Sequence, residues 1–226
     1  MKKAVITGDI IQSGKLKPEE KEWLTKTIKG GLKNWGKDFQ MKSEMYRGDS
    51  FQCLLQNPAS SLRVAVIIKT FIKSLNPSAV YDIYSRETQS VKMTRIFSTN
   101  MIDARISIGI GTVDLEMKSV TTSDGIAFNI SGMNLDKIKS TRQSMIIGSD
   151  DEYSAELETE IILLDNIISK ATALQCEVIY LKLLGYTEIE IARFLKIKQS
   201  AVNQRSNSTG WNAIETSIKR FETIYG

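Results

Sequence analysis

Two aspartates are the residues best placed to do chemistry. Asp9 follows the apolar run KAVITG, a buried strand by composition, and sits at its carboxyl end. Asp49 sits in Arg47-Gly48-Asp49-Ser50-Phe51, between two short segments that read as a hairpin. Two carboxylates on adjacent strand ends can hold one or two divalent cations. Such cations bind a nucleoside triphosphate and activate a hydroxyl for attack on its α-phosphate. Gly48 would let the backbone approach the phosphates closely. The chain contains no histidine, which excludes His-based triads and His-ligated zinc and leaves acid–base work to carboxylates, lysines or metal-bound water. A site built from oxygen favours Mg²⁺ or Mn²⁺. Cys53 and Cys176 are far apart and read as small buried hydrophobes.

A second constellation lies near the carboxyl end. Residues 174–185 read as a helix stopped by Gly185, and Thr187 with Glu190 forms a capping box for the next helix, 188–196. A short turn carrying Ile197 leads to Gln199-Ser200-Ala201-Val202-Asn203-Gln204-Arg205, a helix with a polar face suited to the major groove. Gly210 should end it.

These residues need elements to hold them. Pro18 and the glutamates after it start a helix in which Trp23, Thr27, Ile28 and Leu32 share a face. Segments 40–46 and 50–55 are short strands. Asn57-Pro58 opens a helix with Leu62, Ala65, Val66, Lys69 and Ile72 at helical period. The polar stretch 84–101 reads as a mobile loop, residues 104–113 as the clearest strand, 124–139 as a helix and 143–148 as a strand. The order βαββαβαβ predicts an α+β fold with one sheet, of ferredoxin-like type. An amphipathic helix over 153–170 follows, so three units are expected: residues 1–150, a linker helix over 151–172, and an all-α helix-turn-helix domain over 173–226. The stripes at 153–168 and 211–221 offer apolar surface for packing or for a homodimer.

The composition is that of a globular protein, and no segment has the roughly 20 apolar residues needed to cross a bilayer. A cytoplasmic protein without membrane contact is expected. The net charge of +4 is unevenly distributed: residues 1–150 hold 22 basic and 15 acidic side chains, against 8 and 11 in residues 151–226. Positive charge therefore favours the first unit, and a nucleic-acid reading must rest on the motif. Gly8 to Lys15 has the wrong spacing for a P-loop.

The string GYTEIEIARFLKIKQSAVNQR resembles the DNA-reading domain of sigma factors and related response regulators. That resemblance implies that Lys198, Gln199, Ser200, Asn203, Gln204 and Arg205 face double-stranded DNA, Arg205 suiting guanine and Lys198 phosphate. Residues 1–148 resemble the nucleotide cyclase and GGDEF superfamily. RGDSF is similar to the GGDEF hairpin, and DGIAFNISGMNLD to the Gly-x-x-x-Asn helix of class III cyclases. This implies Asp9 and Asp49 as metal ligands and Gly48 and Asn129 as nucleotide contacts. GDIIQS, RGDSF, RISIGIG and SDGIAF, followed by the helix-turn-helix, are closer still to the SatD family of bacterial proteins.

The departures bear on activity. Ser50 replaces the second acid of GGDEF, Arg47 its first glycine, and Met133 stands where class III cyclases carry an arginine. Loss of that arginine costs about 10³ in rate unless Arg47, Arg105 or a partner's residue substitutes. The sequence thus leads to a DNA-binding regulator whose cyclase-like domain binds a nucleotide with a divalent metal. Its alternatives are a metal-dependent nucleotidyl cyclase or nucleotidyltransferase and a protein-docking adaptor.

Overall fold

The computed structural model describes residues 2–75 and 102–226; the stretch 84–101, expected as a mobile loop, lies outside them. Strands β1 (Lys3–Ile11), β2 (Met41–Tyr46), β3 (Ser50–Leu55), β4 (Asp103–Gly111) and β5 (Met145–Ser149) form one sheet in the order β2-β3-β1-β4-β5. All neighbours are antiparallel except β4 and β5. The described helices are α1 (Pro18–Asp38), α2 (Ser61–Ser74), α3 (Ile126–Ile138), α4 (Ser154–Lys170), α5 (Ala173–Leu183), α6 (Glu188–Leu195), α7 (Gln199–Ser208) and α8 (Trp211–Tyr225). The fold is α+β, and β1-α1-β2-β3-α2-β4 follows the split β-α-β order of ferredoxin-like sheets.

The two-residue period of the strands sorts their side chains between two faces. Ala4, Ile6 and Ile10 of β1, Phe51, Cys53 and Leu55 of β3, and Ala104, Ile106, Ile108 and Ile110 of β4 enter the main core. Helices α1 and α2 supply its second layer. The buried stripe of α1 is Leu24, Ile28, Leu32 and Trp35. It is rotated from the expected one, leaving Trp23 and Thr27 half-buried, with Thr27 Oγ1 donating to the Trp23 carbonyl. On the opposite face α3 lies close, because β4 carries Gly109 there: a Cβ at that position would stand 2.2 Å from the Ala127 carbonyl oxygen.

Helix α2 is buried almost all round. One side meets the sheet and the other needs cover, which the later helices give. Leu157, Ile161, Leu164 and Ile168 of α4, Ile179 and Leu183 of α5, and Ile214, Ile218 and Phe221 of α8 belong to the same apolar cluster as the sheet. Arg63 of α2 donates to both carboxylate oxygens of Glu222 on α8, at 2.6 and 3.1 Å. Helices α4, α5 and α8 therefore share a core with the sheet, so no separate all-α domain is seen there, while α6 and α7 pack with α5 in a small cluster of their own. Both apolar stripes are spent inside the fold, so a homodimer loses the surface expected for it.

A charged network seals the junction. Lys69, fully buried on α2, lies 2.7 Å from Asp103 Oδ1 and donates to the Ala104 carbonyl and to Ser144 Oγ. Burial pulls its pKa down against the pull of Asp103. Ser144 in turn donates through N–H and hydroxyl to Asp165 of α4, at 2.8 and 2.5 Å. Both cysteines are buried and free, and burial raises the Cys176 thiol to about 11. Among the described residues no helix is long and apolar enough to cross a membrane.

Candidate functional site

Strand register assembles a polar row on the sheet face opposite α1 and α2. Asp9 of β1 pairs with Ser50 of β3 on one side and Arg105 of β4 on the other, and Tyr46 of β2 pairs with Ser50. Cross-strand partners point to the same face, so Tyr46, Ser50, Asp9 and Arg105 form one line. The next line is Glu44, Gln52, Thr7 and Ser107. It is closed over by α3: Thr7 Oγ1 lies 2.9 Å from Ser131 Oγ, and Gln52 Nε2 donates to Thr7 Oγ1 at 3.2 Å. The buried Ser107 hydroxyl has no partner among the described residues. The outer line stays half-exposed.

Backbone pairing sets the two expected aspartates on neighbouring chain segments, where each carboxylate has its own partners. The N–H of Ile10 donates to the Asp49 carbonyl at 2.9 Å, setting the two aspartates on neighbouring chain ends. Asp9 Oδ1 faces Arg105 Nη1 at 3.5 Å, a loose ion pair. Asp49 accepts from Ser13 Oγ at 2.6 Å and from Ser50 Oγ at 3.4 Å. Arg47 and Gly48 take φ values of 54° and 79°, a left-handed turn that only the glycine adopts at no cost. Thr25 Oγ1 anchors the turn to α1 through the Gly48 carbonyl.

The surroundings are mixed in charge. Burial, and to a smaller extent Asp9, raises the Tyr46 phenol, while Arg47 and Lys139 oppose the shift. Lys139, just past α3, is raised by its hydrogen bond to Asp136, with Asp9 and Tyr46 adding to the effect. Two carboxylates flanked by hydroxyls make a hard oxygen donor set, which fits Mg²⁺ or Mn²⁺. No group of three or more His, Cys, Asp or Glu side chains able to hold a metal occurs among the described residues. Further ligands would come from water and phosphate, as is usual for Mg²⁺.

Asn129 is not brought to this row. Ser131 faces the sheet, and helical geometry turns Asn129 and Met133 outward, where Met133 is 74% exposed.

The second constellation is a helix pair. Thr187 Oγ1 accepts from Glu190 N–H, and the Glu190 carboxylate accepts from Thr187 N–H at 2.8 Å, the capping box expected for α6. Lys196, left-handed at φ 54°, and Ile197 turn the chain into α7, which ends before Gly210. Ile191, Ala192, Val202, Val178 and Leu181 form a small core beneath the turn. Lys198, Gln199, Ser200, Asn203 and Gln204 are exposed, with Asn203 Oδ1 accepting from Asn207 Nδ2. Arg205 is turned the other way, half-buried, its Nη1 3.8 Å from Glu177 Oε2 on α5.

No protein-family model matches the chain, and no curated protein matches it. Among solved structures it is similar to an adenylate cyclase of Trypanosoma brucei, at 18% identity and TM-score 0.44, over 59% of this chain and 68% of that one. It is also similar to the adenylyl cyclase CyaB of P. aeruginosa, at 15% identity and TM-score 0.41, over 70% and 81%. A third is the dimeric guanylyl cyclase domain of a Blastocladiella emersonii fusion protein, at 12% identity and TM-score 0.39, over 69% and 82%. What this chain can do follows from its own side chains.

Sequence reasoning missed Tyr46, Ser13 and Lys139 at the site and the whole Lys69 network. Alternation in RISIGIG puts Arg105 and Ser107 on one face, but only the register of β4 against β1 brings Arg105 to Asp9. For Lys69 the signal was a lysine at a core position of the helical period.

Proposed function

We propose that the polar end of the sheet binds a nucleoside triphosphate through a divalent cation held by Asp9 and Asp49. The observation that supports this is the backbone bond that sets Asp9 and Asp49 on neighbouring segments at the β1–β3 end, with Arg105 on the row of Asp9 and the exposed Lys139 just past α3. Mg²⁺ or Mn²⁺, when bound, would neutralise phosphate charge and polarise phosphate oxygens. Arg105 and Lys139 would face the remaining phosphate charge, and Gly48 leaves the hairpin backbone bare beside it. Membership of the SatD family belongs with this reading and rests on the strings GDIIQS, RGDSF, RISIGIG and SDGIAF.

In its enzymatic form the reading is a nucleotidyl cyclase or nucleotidyltransferase. Turnover is slow in this account, because Met133 offers the transferring phosphoryl group no charge and Arg105 is already engaged by Asp9. Calorimetry with each nucleoside triphosphate in Mg²⁺ should show saturable binding that Asp49→Asn abolishes. Absence of binding to the wild type would end the reading.

The exposed polar side chains of α7 favour a second reading, recognition of double-stranded DNA by Lys198, Gln199, Ser200, Asn203 and Gln204. Selection from random duplexes at low salt tests it, and enrichment of no sequence rejects it.

A further inference from the structure

Strand β2 ends the sheet, and no strand pairs with its outer edge among the described residues. A free edge presents unpaired N–H and C=O groups at every second residue, and proteins usually guard it with proline, a bulge or a lysine on the strand. Met41–Tyr46 contains no proline, and its pairing with β3 runs through six residues without a bulge. Its one lysine, Lys42, is on the opposite face and bound to Glu116. The edge is open.

Beside it, between β2 and α1, runs a groove of about 560 Å³. Leu32, Met41 and Met45 line its floor, and Lys29, Lys33 and Lys37 its helical wall. These three lysines are exposed and make no ion pair among the described residues. Glu44 also borders the groove, but its carboxylate is held on the other side of the strand by Ser119 and Thr121. The lysines recur every four residues, about 6 Å along a helix. Alternate residues of an extended chain recur at about 6.7 Å. A strand laid against β2 with an acid at every second position would meet one lysine with each acid.

We propose that this edge and groove take an extended acidic segment of a partner protein, which adds a sixth strand to the sheet. Backbone pairing with β2 supplies the affinity, and the three lysines select acids at alternate positions. The groove lies on the opposite face of β2 from Tyr46 and the Asp9 row, and the proposal does not depend on nucleotide binding.

The test uses the full chain and a fluorescent peptide, as long as β2, alternating Glu and Val. It should bind saturably at physiological salt. Replacing Lys29, Lys33 and Lys37 together by Gln should weaken binding roughly tenfold or more. N-methylation of alternate peptide amides should abolish binding in one phase and spare it in the other, since only one phase faces β2. Amide exchange over Met41–Tyr46 should slow when the peptide binds. No binding of the alternating peptide would overturn the proposal. So would equal binding of a peptide with the same composition in two blocks, or equal competition by a DNA oligonucleotide, because either would reduce the groove to a patch of positive charge.

Discussion

Arg105 stands across the β1–β4 pair from Asp9, its Nη1 3.5 Å from Asp9 Oδ1. One cation thus occupies the carboxylate that the proposed metal would need. In the proposed function Arg105 would compete with a bare metal ion but assist a metal that arrives with phosphate, for then the guanidinium can turn from carboxylate to phosphate oxygen. Arg105→Gln should therefore bind Mn²⁺ alone more tightly and Mn²⁺–triphosphate more weakly, each by several-fold on the scale of about 1.5–3 kcal/mol for a charged hydrogen bond. Titrations followed by the Mn²⁺ spin signal separate the two; parallel shifts would contradict this exchange of partners.

Lys69 ties three elements together from a site without solvent. Removing one member of a buried charged network leaves its partners uncompensated, typically at a cost of about 3–5 kcal/mol. Lys69→Met should lower stability by that order in urea unfolding. A loss below about 1 kcal/mol would mean that Asp103 is satisfied by Lys73, 3.6 Å away, or by water.

Glu116 is clipped to Lys3 of β1, to Lys42 of β2 and to Gln56 after β3, and these hydrogen bonds lower its pKa to about 2. A depressed carboxylate contributes stability above its ordinary value of 4.5 and loses that contribution as pH falls toward 2. The group is partly solvated, so about 0.5–1 kcal/mol is expected at neutral pH. Glu116→Gln should cost this at pH 7 and little of it at pH 2. A deficit that persists in acid would point to packing as the cause.

How much could be read beforehand varied with the range of the interaction. The capping box at Thr187 and Glu190, the end of α7 before Gly210 and the strands around Arg47-Gly48-Asp49 are local, and each is where turn and cap chemistry puts it. That Asp9 and Asp49 lie on neighbouring segments also followed from strand ends. The row with Arg105 and Tyr46 did not, because register between strands distant in sequence is invisible to periodicity. The stripe of α8 was legible as a stripe, but its partner was not: Ile214, Ile218 and Phe221 pack into the core shared with the sheet instead of facing another chain. The helix-turn-helix resemblance placed Arg205 among the DNA contacts, but it could not foresee the ion pair in which its Nη1 lies 3.8 Å from Glu177.

That orientation makes a prediction about DNA. If α7 reads a duplex, Gln204→Ala should change the selected sequence, at about 1–3 kcal/mol for a lost base contact. Arg205→Ala should leave the selected sequence unchanged. A specificity change from Arg205→Ala with none from Gln204→Ala would show that Arg205 leaves Glu177 on binding.

The most direct measurement of the central claim is Mn²⁺-dependent binding of a nucleoside triphosphate to wild type, Asp9→Asn and Asp49→Asn, each first shown to fold with the wild-type circular dichroism spectrum. The wild type should bind saturably and only with metal, and both variants should lose binding. Binding that survives in both variants, or that needs no metal, would contradict that claim.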